Sequence, residues 1–174
     1  MNLYREIFDS DLGQMVVVAS DNGVCFLAFG DMSGVDKEQL ILQEMFDAKI
    51  IDTPNAFTAQ TRQEIDEYFN KQRTVFEVPL DIQGTSFQCQ VWEQLKKIPY
   101  GEITYYQALA AAVNRPSAMR AVALANKHNR ISIIIPCHRV IGKKGDLVGY
   151  SGGLWRKEKL LLLEKTTVDA NAQC

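Results

Sequence analysis

No stretch of this chain approaches the roughly 18 consecutive apolar residues that a membrane helix requires. Its start is polar and acidic, so no secretory signal peptide is expected there. Histidine is scarce, with only His128 and His138, and no Cys-x-x-Cys pair occurs, which argues against a zinc site. The four cysteines, Cys25, Cys89, Cys137 and Cys174, have no paired spacing, so reduced thiols in a cytoplasmic protein are expected. A Gly-rich strand–helix turn for S-adenosylmethionine is also missing. Neither a cofactor nor a metal is expected.

What is present is enough apolar residue for a real core, 47% of 174 residues, arranged as one large domain or two small ones. The net charge of −2 conceals an asymmetry. Residues 1–80 hold 6 Lys and Arg against 14 Asp and Glu, a net of −8. Residues 81–165 hold 13 against 6, a net of +7, and Asp169 supplies the last negative charge. A polyanion partner is therefore expected for the second half and not for the first.

Residues 3–8 and 14–19 read as strands, and Asp21-Asn22-Gly23 as a tight turn into a third, Val24 to Phe29. Helical spacing runs from Gln39 to Met45 and from Thr58 to Phe69, where Ile65, Tyr68 and Phe69 share a face. Val75 to Leu80 reads as a strand that Pro79 ends, and the domain junction falls at 80–84, where the charge balance switches. From Ser86 a helix carries Phe87, Val91, Trp92 and Leu95 as an apolar stripe. Thr104 is predicted to cap a helix over Tyr105 to Val113, and Ser117 one over Ala118 to Lys127. The pair has the pattern of a helix-turn-helix, and the alanines of the second helix, Ala121 among them, permit close backbone approach to DNA. Arg156 to Lys165 is predicted as a closing helix with Leu160 to Leu163 largely buried, and 166–174 as a frayed tail.

The chemistry concentrates in Ile133-Ile134-Ile135-Pro136-Cys137-His138-Arg139-Val140-Ile141. The β-branched flanks read as buried strand, and Pro136 must break it or place it at an edge. On an unbroken strand Cys137 and His138 would point to opposite faces, whereas a local turn brings both to one pocket. The thiolate is the nucleophile, and an adjacent imidazole and the Arg139 guanidinium are both expected to favour it.

Pro-Cys-His-Arg-Val resembles the acceptor site of the O6-alkylguanine-DNA alkyltransferases. Gly84-Thr85-Ser86-Phe87-Gln88, Val91-Trp92, Ile98-Pro99-Tyr100-Gly101-Glu102, Tyr105-Tyr106, Arg120-Ala121-Val122, Asn129 and Tyr150-Ser151-Gly152-Gly153 are similar to that family in the same order. The likeness is strong over residues 80 to 165 and loose before them. One departure is Arg130, where many relatives carry proline.

The resemblance implies an α+β fold of two domains. An N-terminal α/β scaffold with a small antiparallel sheet, ribonuclease H-like in the family, would span 1–80. A mostly helical, winged helix-turn-helix-like domain would span 81–165 and enter the minor groove. Cys137 would accept the alkyl group, His138 would take its proton through a water, Glu164 would fix the imidazole tautomer, and Asn129 would brace the turn. Tyr106, Val140, Tyr150, Ser151 and Gly152 would hold the flipped base. Thr104, Tyr106, Arg120 and Ala121 would contact DNA, with Arg120 filling the vacated stack. The implied partner is double-stranded DNA containing O6-alkylguanine, bound by a monomer that can be cooperative, with no membrane involved. A lesion-sensing DNA-binding protein without transfer, and a Cys–His–Glu hydrolase without a DNA role, are the two rival readings.

Overall fold

The computed structural model of the chain describes residues 1–172 and divides it into two compact units, 1–83 and 84 onward. In the first unit, β1 (Asn2–Ser10), β2 (Gly13–Ala19) and β3 (Val24–Phe29) form an antiparallel meander. The strand order is β3-β2-β1-β4, and β4 (Lys49–Ile51) joins β1 in parallel. Both faces of β2 and β3 are buried, which is why their sequences run apolar without alternation. One face packs Val16, Val18, Phe26 and Ala28 with Val35 and Leu42 of α1 (Val35–Met45). Against the sheet also lies α2 (Ala56–Phe69), burying Ile65, Tyr68 and Phe69. Its start is fixed by a capping box in which Asn55 and Thr58 bond each other's backbone N–H groups.

The predicted strand over Val75 to Leu80 does not form. Leu80 makes one isolated bridge to Val24, and Glu64 holds the segment by accepting from the Glu77 and Val78 N–H groups at 2.9 and 3.2 Å. β4 carries no sequence signal of its own, being three residues long.

The second unit begins with α3 (Ser86–Lys96), capped reciprocally by Thr85 and Gln88. Trp92 is buried and its indole N–H donates to the Ala125 carbonyl at 2.9 Å, pinning α3 to α5 (Met119–Lys127). Between them in sequence lies α4 (Tyr106–Ala112). Neither predicted cap forms. Tyr105 and Ala118 occupy the cap positions without side-chain bonds, and Thr104 belongs instead to β5 (Thr104–Tyr105). That strand pairs in parallel with β6 (Val140–Ile141) through Thr104↔Val140.

The closing helix α6 runs from Leu154 to Ala172, so residues 166–172 are helical where a frayed tail was expected. Thr167 is buried, and a side chain on Gly101 (φ 80°) would collide with Val168, so this last stretch packs against the turn before β5. The rest of the expected tail, 173–174 with Cys174, lies outside the described residues. Leu160 is buried, but Leu162 is half exposed, so the run of four leucines is not buried as a block.

Candidate active site

The acceptor segment is a turn and not a strand. Ile133 has φ 70°, a region that β-branched residues rarely enter. The cause is Asn129, just past the end of α5. Its side-chain oxygen accepts from the Ile131 N–H at 3.0 Å, and its amide donates to the Ile135 carbonyl at 2.8 Å and the Ile131 carbonyl at 3.3 Å. These bonds fold 131–135 back on itself and outweigh the strand propensity of three isoleucines. The chain then passes Pro136 into a single 3₁₀ turn, Cys137–Arg139. The Cys137 N–H donates to Ile135 at 2.8 Å, and the Val140 N–H to the Cys137 carbonyl.

All three residues of that turn are buried, His138 completely. The His138 Nε2 lies 2.7 Å from Glu164 Oε1. Arg139 grips the same carboxylate twice, Nε to Oε2 and a terminal nitrogen to Oε1, both at 2.9 Å, and donates to the Ile98 carbonyl at 2.6 Å. Burial alone would raise the Glu164 pKa. His138 and Arg139 outweigh it and hold the carboxyl down to about 2, so it is ionised. His138 is pushed below its ordinary value, chiefly by burial, and is neutral at pH 7. A carboxylate can only accept, so Nε2 carries the ring hydrogen and Nδ1 is left as a base. That Nδ1 is buried without a hydrogen-bond partner.

Burial also pushes the Cys137 thiol up, and Asn129 and then the Lys157 charge pull it back in part. The cation that acts on the sulfur is therefore Lys157. Arg139, expected from sequence to favour the anion, spends its charge on Glu164. Lys157 carried no sequence signal, since it sits in a charged stretch that reads as a helix surface. Its side chain is fully buried, with Nζ 2.5 Å from the Val140 carbonyl and 2.8 Å from that of Val148.

The remaining candidates divide into two groups. Tyr150 is buried, and its hydroxyl, unpartnered, is raised well above the usual range by burial and then by Cys137. Tyr106 opens α4, donates to the Val148 carbonyl at 3.3 Å, and is likewise raised by burial and Cys137. Ser151 donates to the Lys127 carbonyl at 3.0 Å, and the Gly152 carbonyl accepts from Arg156 at 3.1 Å. Val140 presents its carbonyl, already shared with Lys157. Asn129, Tyr106 and Tyr150 thus interact with the thiol, and His138 and Val140 follow it in the same turn. Arg120 and Ala121 are exposed on α5. Arg120 lines a concave surface of about 390 Å³ with Tyr105, Tyr106, Gln107, Met119 and Lys143. Thr104, partly buried in β5, is absent from that lining.

No other described cysteine has such surroundings. Cys25 is buried in the sheet of the first unit, its thiol donating to Val18 at 3.3 Å, and burial with Asp81 pushes it up to about 12. Cys89 is half-buried on α3. Among the described residues no cluster of three or more His, Cys, Asp or Glu could hold a metal ion.

The model for the 6-O-methylguanine DNA methyltransferase DNA binding domain matches residues 86–166, and that for the family's ribonuclease-like domain matches 3–82. The constitutive methylated-DNA–protein-cysteine methyltransferase of Bacillus subtilis (strain 168) is 38% identical over 162 residues, covering 93% of this chain and 94% of that protein. The bifunctional transcriptional activator/DNA repair enzyme Ada of Escherichia coli (strain K12) is 43% identical over 158 residues, 90% of this chain, which spans 44% of Ada's length. The crystal structure of Mycobacterium tuberculosis OGT in complex with DNA is similar with a TM-score of 0.79 and 35% identity, covering 96% of this chain and 94% of that one. Two matched domain models in sequence order and a relative aligned nearly end to end agree with a thiol–imidazole–carboxylate turn, and the chain belongs to the 6-O-methylguanine DNA methyltransferase family.

Proposed function

We propose that the chain repairs DNA by direct reversal, moving one methyl or other alkyl group from O6-alkylguanine to Cys137 in a single irreversible turnover. The observation that carries this is the environment of the sulfur. A buried thiol and a neutral imidazole share one 3₁₀ turn, and the imidazole has an unpartnered Nδ1 as a lone-pair base while its other nitrogen is held by an ionised carboxylate. This is the arrangement of an activated nucleophile.

In the reaction His138 takes the thiol proton through a water. The Cys137 sulfur attacks the alkyl carbon in line, the carbon–O6 bond breaks, and its electron pair stays on the guanine oxygen. The proton held on His138 passes to the released base, so charge and atoms balance. The product is a thioether, from which water does not readily displace the sulfur, a poor leaving group. The protein is spent after one transfer.

A base in a duplex cannot reach a buried sulfur, so the nucleotide must be extruded. Membership of a family with a relative solved on DNA supports double-stranded DNA as the partner. The exposed Arg120 on α5, in a unit of net positive charge, supports the same face. Tyr106 and Arg120 then rotate the nucleotide and fill its place, and Tyr150, Ser151 and Gly152 receive the base.

Intact-protein mass spectrometry after incubation with a duplex containing O6-methylguanine tests the reading. The expected result is a gain of one methyl group per chain, located on the Cys137 peptide, with no turnover beyond stoichiometry. DNA bound without any mass gain would instead assign a lesion-sensing role.

A further inference from the structure

We propose that Arg156 is a positioning residue for base capture, its buried guanidinium holding the Gly152 carbonyl so that the loop 150–153 keeps the shape that receives a flat purine. This rests on the reading above that the loop takes the alkylated guanine. The reasoning starts from the composition of the loop. Gly152 and Gly153 have no side chains, and glycine loses more conformational freedom on ordering than any other residue. Two consecutive glycines therefore keep one shape only if neighbouring groups impose it.

Three bonds do so. The Ser151 hydroxyl donates to the Lys127 carbonyl at 3.0 Å, at the end of α5. The Gly153 N–H donates to the Tyr150 carbonyl at 3.1 Å and closes the loop on itself. The Gly152 carbonyl accepts from Arg156 Nη1 at 3.1 Å. Of the three, only the last comes from a charged group, and it fixes the peptide between the two glycines. Arg156 is 5% exposed, so the bond is made away from water.

Trp155 sets the guanidinium in place. The Arg156 Cζ lies 4.6 Å from the centre of the indole ring. The same ring fills the space beside Gly153, which has φ 94°, and a Cβ there would stand 3.1 Å from Trp155 Cδ1. Thus α6 opens with a stacked indole and guanidinium that together meet both glycines of the loop. The planar fork of an arginine fixes the direction of its donors, which a lysine ammonium does not.

The test compares two reagents on Cys137 in the full chain, for wild type, Arg156→Met and Arg156→Lys. Free O6-benzylguanine must sit in the loop before it reacts, whereas iodoacetamide needs only the thiol. Intact-protein mass follows both. A hydrogen bond from a charged group is worth roughly tenfold or more, so Arg156→Met is expected to raise the half-saturating O6-benzylguanine concentration by about that factor. Its limiting rate and its iodoacetamide rate should stay at the wild-type values. Arg156→Lys, which keeps the charge and loses the fork, should fall between the two. A folded Arg156→Met with wild-type half-saturation overturns the proposal. So does an equal slowing with both reagents, which would place Arg156 in support of the thiol turn. Should neither Arg156 variant fold, Trp155→Ala decides, because that ring is 52% exposed and its loss spares the core. Without the ring the guanidinium loosens, and half-saturation must rise about threefold or more. An unmoved value overturns the proposal equally. A wild type that iodoacetamide labels on Cys137 and O6-benzylguanine does not would refute the guanine reading itself, and this proposal with it.

Discussion

At the scale of single residues, the chemistry depends on which groups are charged. Cys137→Ser is expected to abolish alkyl transfer while leaving duplex binding nearly intact, because a hydroxyl is a far weaker nucleophile than a thiolate. Methyl groups found on Cys25 or Cys89 of the wild type would refute the assignment. His138→Ala is expected to slow alkylation by at least about tenfold, since a positioned base contributes roughly 10²–10⁴-fold. A single-turnover rate equal to wild type would dismiss the relay. Glu164 has a structural task as well. Its folded pKa, about 2, lies below the value of about 4.3 expected unfolded, so its stabilisation is fully present above the unfolded value and is lost as pH falls towards 2. Glu164→Gln removes that contribution at every pH and leaves the buried Arg139 guanidinium without its partner. The expected cost is about 3–5 kcal/mol of unfolding free energy, and denaturant titration at neutral pH measures it. A loss below about 1 kcal/mol would mean that the guanidinium finds another acceptor.

At the scale of elements, legibility followed how local the cause was. The strands β2 and β3 and the helices α2 and α3 announce themselves because their buried faces and caps are written within a dozen residues. Ile133 to Ile135 misled for the opposite reason. Their β propensity is real, but the conformation is dictated by Asn129, and a side-chain brace has no periodicity to read. The extension of α6 was likewise invisible, because residues 166–172 are held by Thr167 and Val168 against a turn more than 60 positions earlier. Lys157 shows the limit most plainly, since a buried lysine and a surface lysine look alike in sequence. The brace itself is testable. Asn129→Ala removes three hydrogen bonds from a turn that holds Ile133 at φ 70°, which costs about 1–3 kcal/mol per strained residue. Its expected effect is a loss of roughly 2 kcal/mol in stability, with slower alkylation of even free O6-benzylguanine, because the turn that aims Cys137 relaxes. Full stability with slowed alkylation would place Asn129 in the chemistry instead.

At the scale of the molecule, the division of charge becomes a division of labour. The acidic residues 1–80 carry a buried sheet and an inert cysteine, while the basic residues 81–165 carry the thiol, the exposed arginine and α5. Binding to DNA should therefore weaken with salt in proportion to the phosphates that the second unit neutralises. Arg120 separates electrostatics from mechanism. If it fills the space of an extruded base, it offsets part of a flipping cost of a few kcal/mol. Arg120→Ala should then slow repair of duplex DNA far more than reaction with free O6-benzylguanine, which needs no flipping. Tyr106→Phe should show a milder asymmetry, since the ring survives and only the hydroxyl at Val148 is lost. If Arg120 only contacts phosphate, its loss would instead weaken binding to every duplex and reduce the salt slope by about one. Single-turnover rates at saturating DNA distinguish the two, because saturation removes a pure binding defect and keeps a flipping defect. Equal slowing on duplex and free base would place Arg120 in support of the pocket, and the flipping role would be withdrawn.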